Sequence, residues 1–417
     1  MRTPIMMLPF LMSTALAAPL ADPALDAKAR AIHEKVVALD THVDIPLDFA
    51  SATVDPGGFT ASQVDLPKMR AGGLDAAFFI VYTPHGPVTE EGFRKGHEIA
   101  ETRLKAIRRF VSAYPNEIAL AMSAAEARAI ARSGRKVALI GMENAYPLGP
   151  SPTEGDIDAL AAAGVRYAGI THFGHNQFGD SSNPDTEGGD PEEKWGGLSP
   201  EGRALVEKLN RAGIMVDVSH AGRKTMMQAV ELSRAPIIAS HSGVKAIADA
   251  ARNLDDEQLR ALAAKGGVAQ IVALDVYVKP LNDSQKAFQE RIRNEMGLES
   301  PDARAAMSPE VAAVYEKRMA DVWAIEPRAT VADFVNHIDH AVKVAGIDHV
   351  GIASDFDGGG GIVGWEDASE TLNVTRELVK RGYTEEEIAK IWSGNLLRVL
   401  GAAEKTAREL RKEAKPE

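Results

Sequence analysis

The sequence predicts a single-domain α/β protein with a (β/α)8 TIM-barrel fold, and three observations support this class. Eight short runs rich in β-branched and aromatic residues recur along the chain. Amphipathic helical segments separate these runs, as expected for parallel strands that are covered on both faces. No glycine-rich phosphate loop follows the first run, so a doubly wound nucleotide-binding sheet is the less favoured alternative.

Strand and helix positions follow from this alternation of apolar runs with helical periodicity. The predicted strands are Val36–Asp44, Ala76–Tyr82, Val137–Glu143, Tyr167–His172, Ile214–His220, Ile237–His241, Gly267–Leu274 and His349–Asp357. The clearest predicted helices are Gly92–Tyr114, Ser123–Ser133, Pro200–Ala212, Asp255–Lys265 and Thr330–Val344. Two connections, 174–195 and 275–328, are unusually long. We expect an ordered active-site loop or lid in the first, and in the second an insertion that covers the barrel mouth or contacts a partner subunit.

The first 17 residues have the features of a secretory signal peptide. Arg2 gives a positive start, a short apolar run follows, and Ala15-Leu16-Ala17 supplies small residues for cleavage. The apolar run is shorter than the ~20 residues that a membrane span requires. We therefore expect a mature barrel domain over 18–417, in the periplasm or secreted, without a transmembrane anchor.

Composition excludes several classes of partner and chemistry. The net charge of −12 disfavours nucleic acid and anionic membrane surfaces as partners. The chain has no cysteine, which excludes thiol catalysis and cysteine-ligated metal sites.

Ligand-type side chains end six of the eight predicted strands. In an α/β barrel the carboxyl ends of the strands form one face, and that face carries the active site. These residues should therefore converge although they lie far apart in the sequence. They are His42 with Asp44, Glu143, His172, His220, His241, and Asp355 with Asp357.

The residue types predict metal binding. His42 and Asp44 are two residues apart on a strand, so both point to one side and offer nitrogen and oxygen ligands that zinc accepts. Glu143 is costly to bury unless it is paired or bound to metal, and its two oxygens could bridge two cations. A salt bridge from Glu143 to Arg166, or a structural His42 capped by Asp44, is the alternative.

Two histidines on neighbouring predicted strands indicate a second cation. His220 and His241 end the fifth and sixth predicted strands, which adjoin in a barrel. Two adjacent imidazoles suit a divalent metal, whereas either one alone would more often be a hydrogen-bonded core histidine.

The stretches that carry these residues resemble the membrane (renal) dipeptidase family of zinc metallopeptidases, and in particular its secreted bacterial members. The resemblance extends over nearly all of the mature chain. The matching stretches are ALDTHVDIP, ALIGMEN, GVRYAGITHFGHN, IMVDVSH, IIASHSG, ARNLDDEQL and HVGIASDFDG. It implies a barrel of the amidohydrolase, metal-dependent hydrolase type that holds two Zn²⁺ ions per chain.

The resemblance also implies a set of ligands. His42 and Asp44 match the ligands of one zinc ion, and His220 and His241 match those of the other. Glu143 matches the carboxylate that bridges the two ions.

Substrate contacts are implied in the same way. His172 matches a histidine that contacts the substrate near the scissile carbonyl, Arg252 an arginine that binds the substrate carboxylate, and Asp355 an acid/base group beside the metals. Hydroxide formed between the two ions would attack the peptide bond of a dipeptide, including dipeptides with a C-terminal D-residue. A homodimer is a further expectation from the family.

Other functions remain open from the sequence. A related binuclear hydrolase could act on N-acyl amino acids, cyclic amides or lactones. A binding protein could retain the metals without turnover. An aldolase or isomerase barrel would need a phosphate loop, for which Gly358–Gly361 is a weak candidate. Around the end of the seventh predicted strand the chain reads QIVALDVY, without the Asn and aromatic residue common in the family, for which Tyr277 is the candidate substitute.

Overall fold

Nine strands make up the sheet of the computed structural model, which describes residues 22–299, 303 and 307–413. The predicted signal peptide, residues 1–17, lies outside the described residues. The strands are β1 (Leu39–Val43), β2 (Ala76–Tyr82), β3 (Ile118–Leu120), β4 (Lys136–Glu143), β5 (Val165–Gly169), β6 (Met215–Asp217), β7 (Ile238–Ser242), β8 (Val268–Val272) and β9 (Val350–Ala353).

Eight of these strands form a parallel barrel in the order β1-β2-β4-β5-β6-β7-β8-β9. The circle is completed after β9, where Phe356 forms a parallel bridge with Val43. There the Asp44 amide donates to the Phe356 carbonyl (2.8 Å) and the Asp355 amide donates to the His42 carbonyl (3.1 Å). The (β/α)8 prediction is thereby confirmed.

One strand was not predicted. β3 has three residues and pairs in parallel with the first half of β4, outside the barrel circle. So short a run shows too few residues for a period of two to be recognised.

Helices occupy the connections, and local capping explains their limits. The helices are α1 (Pro23–His33), α2 (Leu66–Gly72), α3 (Glu90–Ala113), α4 (Ala124–Arg132), α5 (Glu154–Ala163), α6 (Pro200–Ala212), α7 (Arg223–Leu232), α8 (Asp256–Ala264), α9 (Asp275–Val278), α10 (Asp283–Met296), α11 (Pro309–Ala320), α12 (Val331–Ala345), α13 (Leu372–Lys380), α14 (Glu385–Ala389) and α15 (Asn395–Glu413). Helix α6 is representative: the Ser199 side chain accepts from the Gly202 amide, and Gly213 ends the helix at φ 76°.

Alternation along the strands separates two apolar layers. On β2, Ala77 and Phe79 pack outward against the surrounding helices, whereas Ala76 and Phe78 belong to a cluster that includes residues of seven of the eight barrel strands. Side chains from so many different strands can contact one another only in the barrel interior, so this second cluster is the inner core of the barrel. Helix α15 adds leucines to this inner cluster and lies against the amino ends of the strands, because Asn395 donates to the Val350 carbonyl at the start of β9 (2.8 Å). The opposite, carboxyl end of the barrel is left for a site.

The segment 275–328 leaves the barrel and returns to the same point. Its first residue, Asp275, pairs with Arg328 (2.6 Å) and accepts from the Ala329 amide (2.8 Å). Helices α10 and α11 of this segment contact each other, and the Arg293 side chain donates to the Tyr315 hydroxyl (3.3 Å). Among the described residues, no helix has both the length and the apolar character needed to cross a bilayer.

Candidate active site

A cavity of about 870 Å³ opens at the carboxyl end of the barrel. Seven of the eight site residues predicted from the sequence line it, and His42 is completely buried behind them. The seven are Asp44, Glu143, His172, His220, His241, Arg252 and Asp355. Six of these seven follow from the strand-end rule, as does Asp357, which also lines the cavity, whereas Arg252 was assigned from the resemblance.

Three carboxylates surround the outer nitrogen of His42. The His42 Nε2 atom lies 3.4 Å from Asp44 Oδ2, 3.5 Å from Glu143 Oε2 and 3.8 Å from Asp355 Oδ1. Nε2 is buried and has no hydrogen-bond partner among the described residues. A buried polar atom without a partner is costly, so this group of donors fits a cation placed between them.

The other oxygen of Glu143 faces a different set of histidines. Glu143 Oε1 lies 3.0 Å from His220 Nε2, 3.3 Å from His241 Nε2 and 3.7 Å from His172 Nε2. The Nε2 atoms of His220 and His241 are themselves 3.0 Å apart. One carboxylate thus stands between two groups of ligand atoms, and the arrangement could hold two divalent cations.

Arg166, the alternative partner of Glu143, points elsewhere. Its guanidinium donates to the backbone carbonyls of Met122 (2.8 Å), Ala161 (2.9 Å) and Val165 (2.7 Å). The salt bridge considered from the sequence is therefore not formed.

Mutual interaction sets the charges of the buried acids and of His42. Burial would lower the pKa of His42, but Glu143 and Asp44 outweigh it and raise the pKa well above its usual value. Burial would raise the pKa of Glu143, yet His42 and His172 hold it well below the usual range. For Asp355, burial raises the pKa to about 7, with Asp44 and Glu143 acting in the same direction against His42.

The remaining histidines are held neutral. Burial lowers the pKa of His220 and His241 well below the usual value, and the positive charge of Arg252 acts in the same direction. Burial likewise lowers the pKa of His172. A neutral imidazole is the form that binds a metal.

Four residues beyond the carboxyl ends of barrel strands adopt left-handed backbone conformations. Asn144, His220, Asp355 and Asp357 have φ values of 69°, 63°, 61° and 60°. Such a conformation costs roughly 1–3 kcal/mol for a residue other than glycine, and it persists only where the surroundings enforce it. Asn144 is held by its side chain, which donates to the Thr83 carbonyl (2.9 Å) and accepts from the Tyr146 amide (3.1 Å). Strain concentrated at the ends of several strands is typical of a functional site.

Arg252 is buried in the wall of the cavity and belongs to the loop between β7 and α8. Its guanidinium carbon is 5.1 Å from the centroid of the Tyr277 ring, and its Nη2 is 3.0 Å from His220 Nε2. Among the described residues, no carboxylate forms an ion pair with it, so its charge is free to bind an anionic ligand group. Tyr277, the proposed substitute at the altered end of β8, therefore supports the arginine.

The wall of the cavity differs from the sequence expectation. The loop 174–195 contributes no lining residue, because Asp180 and Asp190 tie it to itself through backbone amides such as those of Trp195 and His175. The segment 275–328, which follows β8, contributes its first helical turn, α9, to the cavity wall. The loop after β1, which had no role in the prediction, supplies Ile45, Pro46, Asp48, Val54, Ala61 and Ser62.

Several site residues were not identified from the sequence. The Tyr82 ring lies edge-on to His172 with centroids 4.8 Å apart, and Phe173 lies 4.5 Å from the same ring. Arg103 reaches Tyr82 from α3 and donates to its carbonyl (3.1 Å). Tyr82 and Phe173 lie at or just beyond the end of a predicted strand, but neither residue type belongs to the His, Asp and Glu set from which zinc ligands were predicted.

Comparison with known proteins agrees with this site. Residues 26–414 match the sequence profile of the family described as "Membrane dipeptidase (Peptidase family M19)". Dipeptidase aclJ of Aspergillus oryzae is 30% identical over 353 residues, which cover 84% of this chain and 72% of the relative.

Solved structures share the barrel. The probable dipeptidase PvdM from Pseudomonas aeruginosa superposes with a TM-score of 0.82 at 35% identity, covering 92% of this chain and 99% of that chain. A metallo peptidase from Rhodobacter sphaeroides, liganded with a phosphinate mimic of the dipeptide L-Ala-D-Ala, gives a TM-score of 0.64 at 23% identity, covering 88% and 99%. The profile spans most of this chain, and the match to the Aspergillus dipeptidase covers most of both proteins. The protein therefore belongs to the membrane dipeptidase family, peptidase family M19.

Proposed function

We propose that this protein is a zinc-dependent dipeptidase that binds two Zn²⁺ ions per chain, bridged by Glu143. As a member of its family it is a metal-dependent hydrolase acting on dipeptides. One observation carries the finer proposal: Glu143 Oε2 faces His42, whereas Glu143 Oε1 faces His220 and His241.

The ligand assignment follows from that division. His42 and Asp44 would hold one ion, His220 and His241 the other, and Glu143 both. All five donors are nitrogen or carboxylate oxygen, the set that zinc prefers in the absence of cysteine. When bound, the ions would supply Lewis-acid chemistry, which activates water at neutral pH and polarises the scissile carbonyl.

Three further side chains would act on the substrate. Asp355 would take a proton from the attacking water and deliver it to the leaving amine, since its oxygen lies 3.8 Å from His42 Nε2 at the centre of the site. His172 would donate a hydrogen bond to the oxygen that becomes negative during attack. Arg252 would grip the terminal carboxylate with two parallel hydrogen bonds.

The size and charge of the cavity support a substrate preference. A cavity of about 870 Å³ with one unpaired arginine suits a short peptide with a free carboxylate. Acceptance of a C-terminal D-residue is part of the proposal and rests on the family resemblance.

Two properties of the whole chain are proposed with this function. Residues 1–17 direct export and are removed, and the mature protein acts in the periplasm or outside the cell, as a homodimer. N-terminal sequencing of the exported protein and sedimentation analysis test these two points directly.

The decisive experiment couples metal analysis to a substrate panel. Purified protein in zinc-replete buffer should contain two equivalents of zinc per chain and should hydrolyse L-L and L-D dipeptides. N-acyl amino acids, cyclic amides and lactones serve as the competing substrates. Preferential turnover of that second group would replace the dipeptidase by a related hydrolase, and bound zinc without turnover of any substrate would indicate a binding protein. Less than one equivalent of zinc would overturn the proposal.

A further inference from the structure

We infer that Tyr167 and the Ser240–Asp217 pair are positioning residues, which fix the tautomer and direction of His42 and His241 for metal binding. The inference rests on the proposed function, because it assigns these residues to the two cations proposed above. The observation behind it is that the Nδ1 atom of each of these two histidines lies within hydrogen-bonding distance of a buried hydroxyl group.

The Tyr167 hydroxyl determines which His42 nitrogen carries the proton. It lies 3.1 Å from the Thr41 carbonyl and 3.0 Å from His42 Nδ1. A carbonyl can only accept, so the single hydroxyl proton goes to Thr41, and the hydroxyl oxygen accepts from Nδ1–H. In the neutral imidazole, which is the form that binds a metal, the lone pair of His42 is thereby left on Nε2, the atom that faces the carboxylates of Asp44 and Glu143.

The Tyr167 ring has little freedom to move. It is completely buried, and its centroid is 5.0 Å from that of Phe78. On its other side the ring lies directly on the backbone of Gly141, where a Cβ atom would come within 2.2 Å of Tyr167 Cζ. A glycine at this point of β4 therefore makes room for the ring that orients His42.

A different pair of side chains orients His241. The Ser240 hydroxyl is 2.8 Å from His241 Nδ1 and 2.8 Å from Asp217 Oδ2. Burial raises the pKa of Asp217, whereas the two backbone amides and the Ser240 hydroxyl that surround its carboxylate favour the ionised form. An ionised carboxylate only accepts, so Ser240 donates to it and accepts from His241 Nδ1–H. Asp217 is itself fixed by the amides of Ser219 (3.0 Å) and Ser240 (2.8 Å). His241 Nε2 is again left as the free acceptor, facing Glu143.

His220 provides an internal contrast. Its Nδ1 atom is buried and has no hydrogen-bond partner among the described residues. Its ring is limited by packing instead, with centroids 4.3 Å from His172 and 5.2 Å from Phe173. Two of the three histidine ligands are therefore oriented by hydrogen bonds, one at each proposed ion.

Groups that orient ligand histidines contribute strongly to metal affinity. Removal of such a partner typically weakens metal binding about 10–100-fold, because the ligand must be ordered and its tautomer selected at the moment of binding. Tyr167→Phe should lower the affinity for one of the two zinc ions by that factor and leave the affinity for the other near the wild-type value. Ser240→Ala should weaken the other equivalent.

Zinc competition against a chromophoric chelator measures both equivalents without reference to turnover. Tyr146→Phe is the matched control for Tyr167→Phe: Tyr146 is also buried and its hydroxyl donates to the Pro87 carbonyl (2.7 Å), but it contacts no proposed ligand. Ser233→Ala is the control for Ser240→Ala, since Ser233 is buried and donates to the Ala235 carbonyl (2.8 Å). Melting of the metal-free proteins separates lost folding from lost metal affinity.

The outcomes distinguish failure of the positioning roles from failure of the proposed function. Weakening of one equivalent in Tyr167→Phe and of the other in Ser240→Ala, with both controls near wild type, supports the inference. If the two variants bind zinc as their controls do while the wild type binds two equivalents, the positioning roles are wrong and the proposed function stands. Weakening of the same equivalent by both variants also overturns the assignment. If the wild type binds no zinc, the proposed function and the inference fail together. An Asp217→Asn variant, which keeps the Ser240 hydroxyl, should give a smaller loss than Ser240→Ala.

Discussion

The two ends of the barrel differ in how their polar groups are satisfied. At the amino end, Arg166 donates to three backbone carbonyls, and helix α15 covers the opening with buried Leu396 and Leu400. At the carboxyl end, His42 Nε2 and His220 Nδ1 are buried without partners among the described residues. One end is built for stability, whereas the other retains buried groups that a ligand must satisfy.

This difference predicts that stability and activity can be lost separately. Substitutions at the carboxyl end should abolish metal binding or turnover with little change in the melting temperature of the metal-free protein. Substitutions at the amino end should lower stability and leave the chemistry of the remaining folded protein intact.

The largest effect is expected for Glu143→Ala, which removes the group shared by both ligand sets. Several kcal/mol of charge stabilisation would disappear with the metals, so kcat/KM should fall by more than about 1000-fold. Elemental analysis and steady-state kinetics measure the two losses together. Full zinc occupancy in this variant would show that Glu143 is not a bridge.

Asp355→Asn tests the proposed proton transfer with the ligands left in place. The variant should retain zinc, while kcat falls by about 10²–10⁴-fold, the usual contribution of a general acid or base. The zinc content of the same preparation is the control. Wild-type kcat would rule out the acid/base role of Asp355.

Leu400→Ala tests the comparison of the two barrel ends by a change at the amino end. Leu400 is completely buried in the inner cluster, and its truncation should lower the free energy of unfolding by about 2–5 kcal/mol. The kcat/KM of the folded protein should stay near wild type at low temperature. Lys405→Ala, exposed on the same helix, is the control for urea denaturation. A large loss of activity in folded Leu400→Ala would mean that the two ends are coupled.

Arg252→Ala should give the smallest of these effects and should depend on the substrate. Loss of a charged hydrogen-bonding partner costs about 1.5–3 kcal/mol, which corresponds to a roughly 10–100-fold rise in KM for a dipeptide with a free carboxylate. The amide of the same dipeptide should be affected much less. Equal effects on acid and amide would contradict carboxylate recognition by Arg252.

Residue patterns and family resemblance contributed different parts of the predicted site. The strand-end rule selected His42, Asp44, Glu143, His220 and His241 because a polar group at the end of an apolar run is visible in the sequence. Arg252 lies in a loop, and its assignment came from the resemblance alone.

The positioning residues escaped prediction for a related reason. Tyr167, Asp217 and Ser240 lie within or beside predicted apolar strands, where a buried polar group must find a partner. The sequence indicates that such a partner exists and does not identify it. The partner of Tyr167 is 125 positions away, at His42.

The sequence by itself determined the eight barrel strands, their parallel arrangement and the end of the barrel at which the ligand-type residues gather, because periodicity and strand ends are local properties of the chain. Tertiary structure alone decided which oxygen of Glu143 faces which histidines, that the loop after β1 forms the cavity wall, and that β3 joins the sheet. Those features depend on rotamers, bends and distances between segments remote in sequence, for which no local pattern exists.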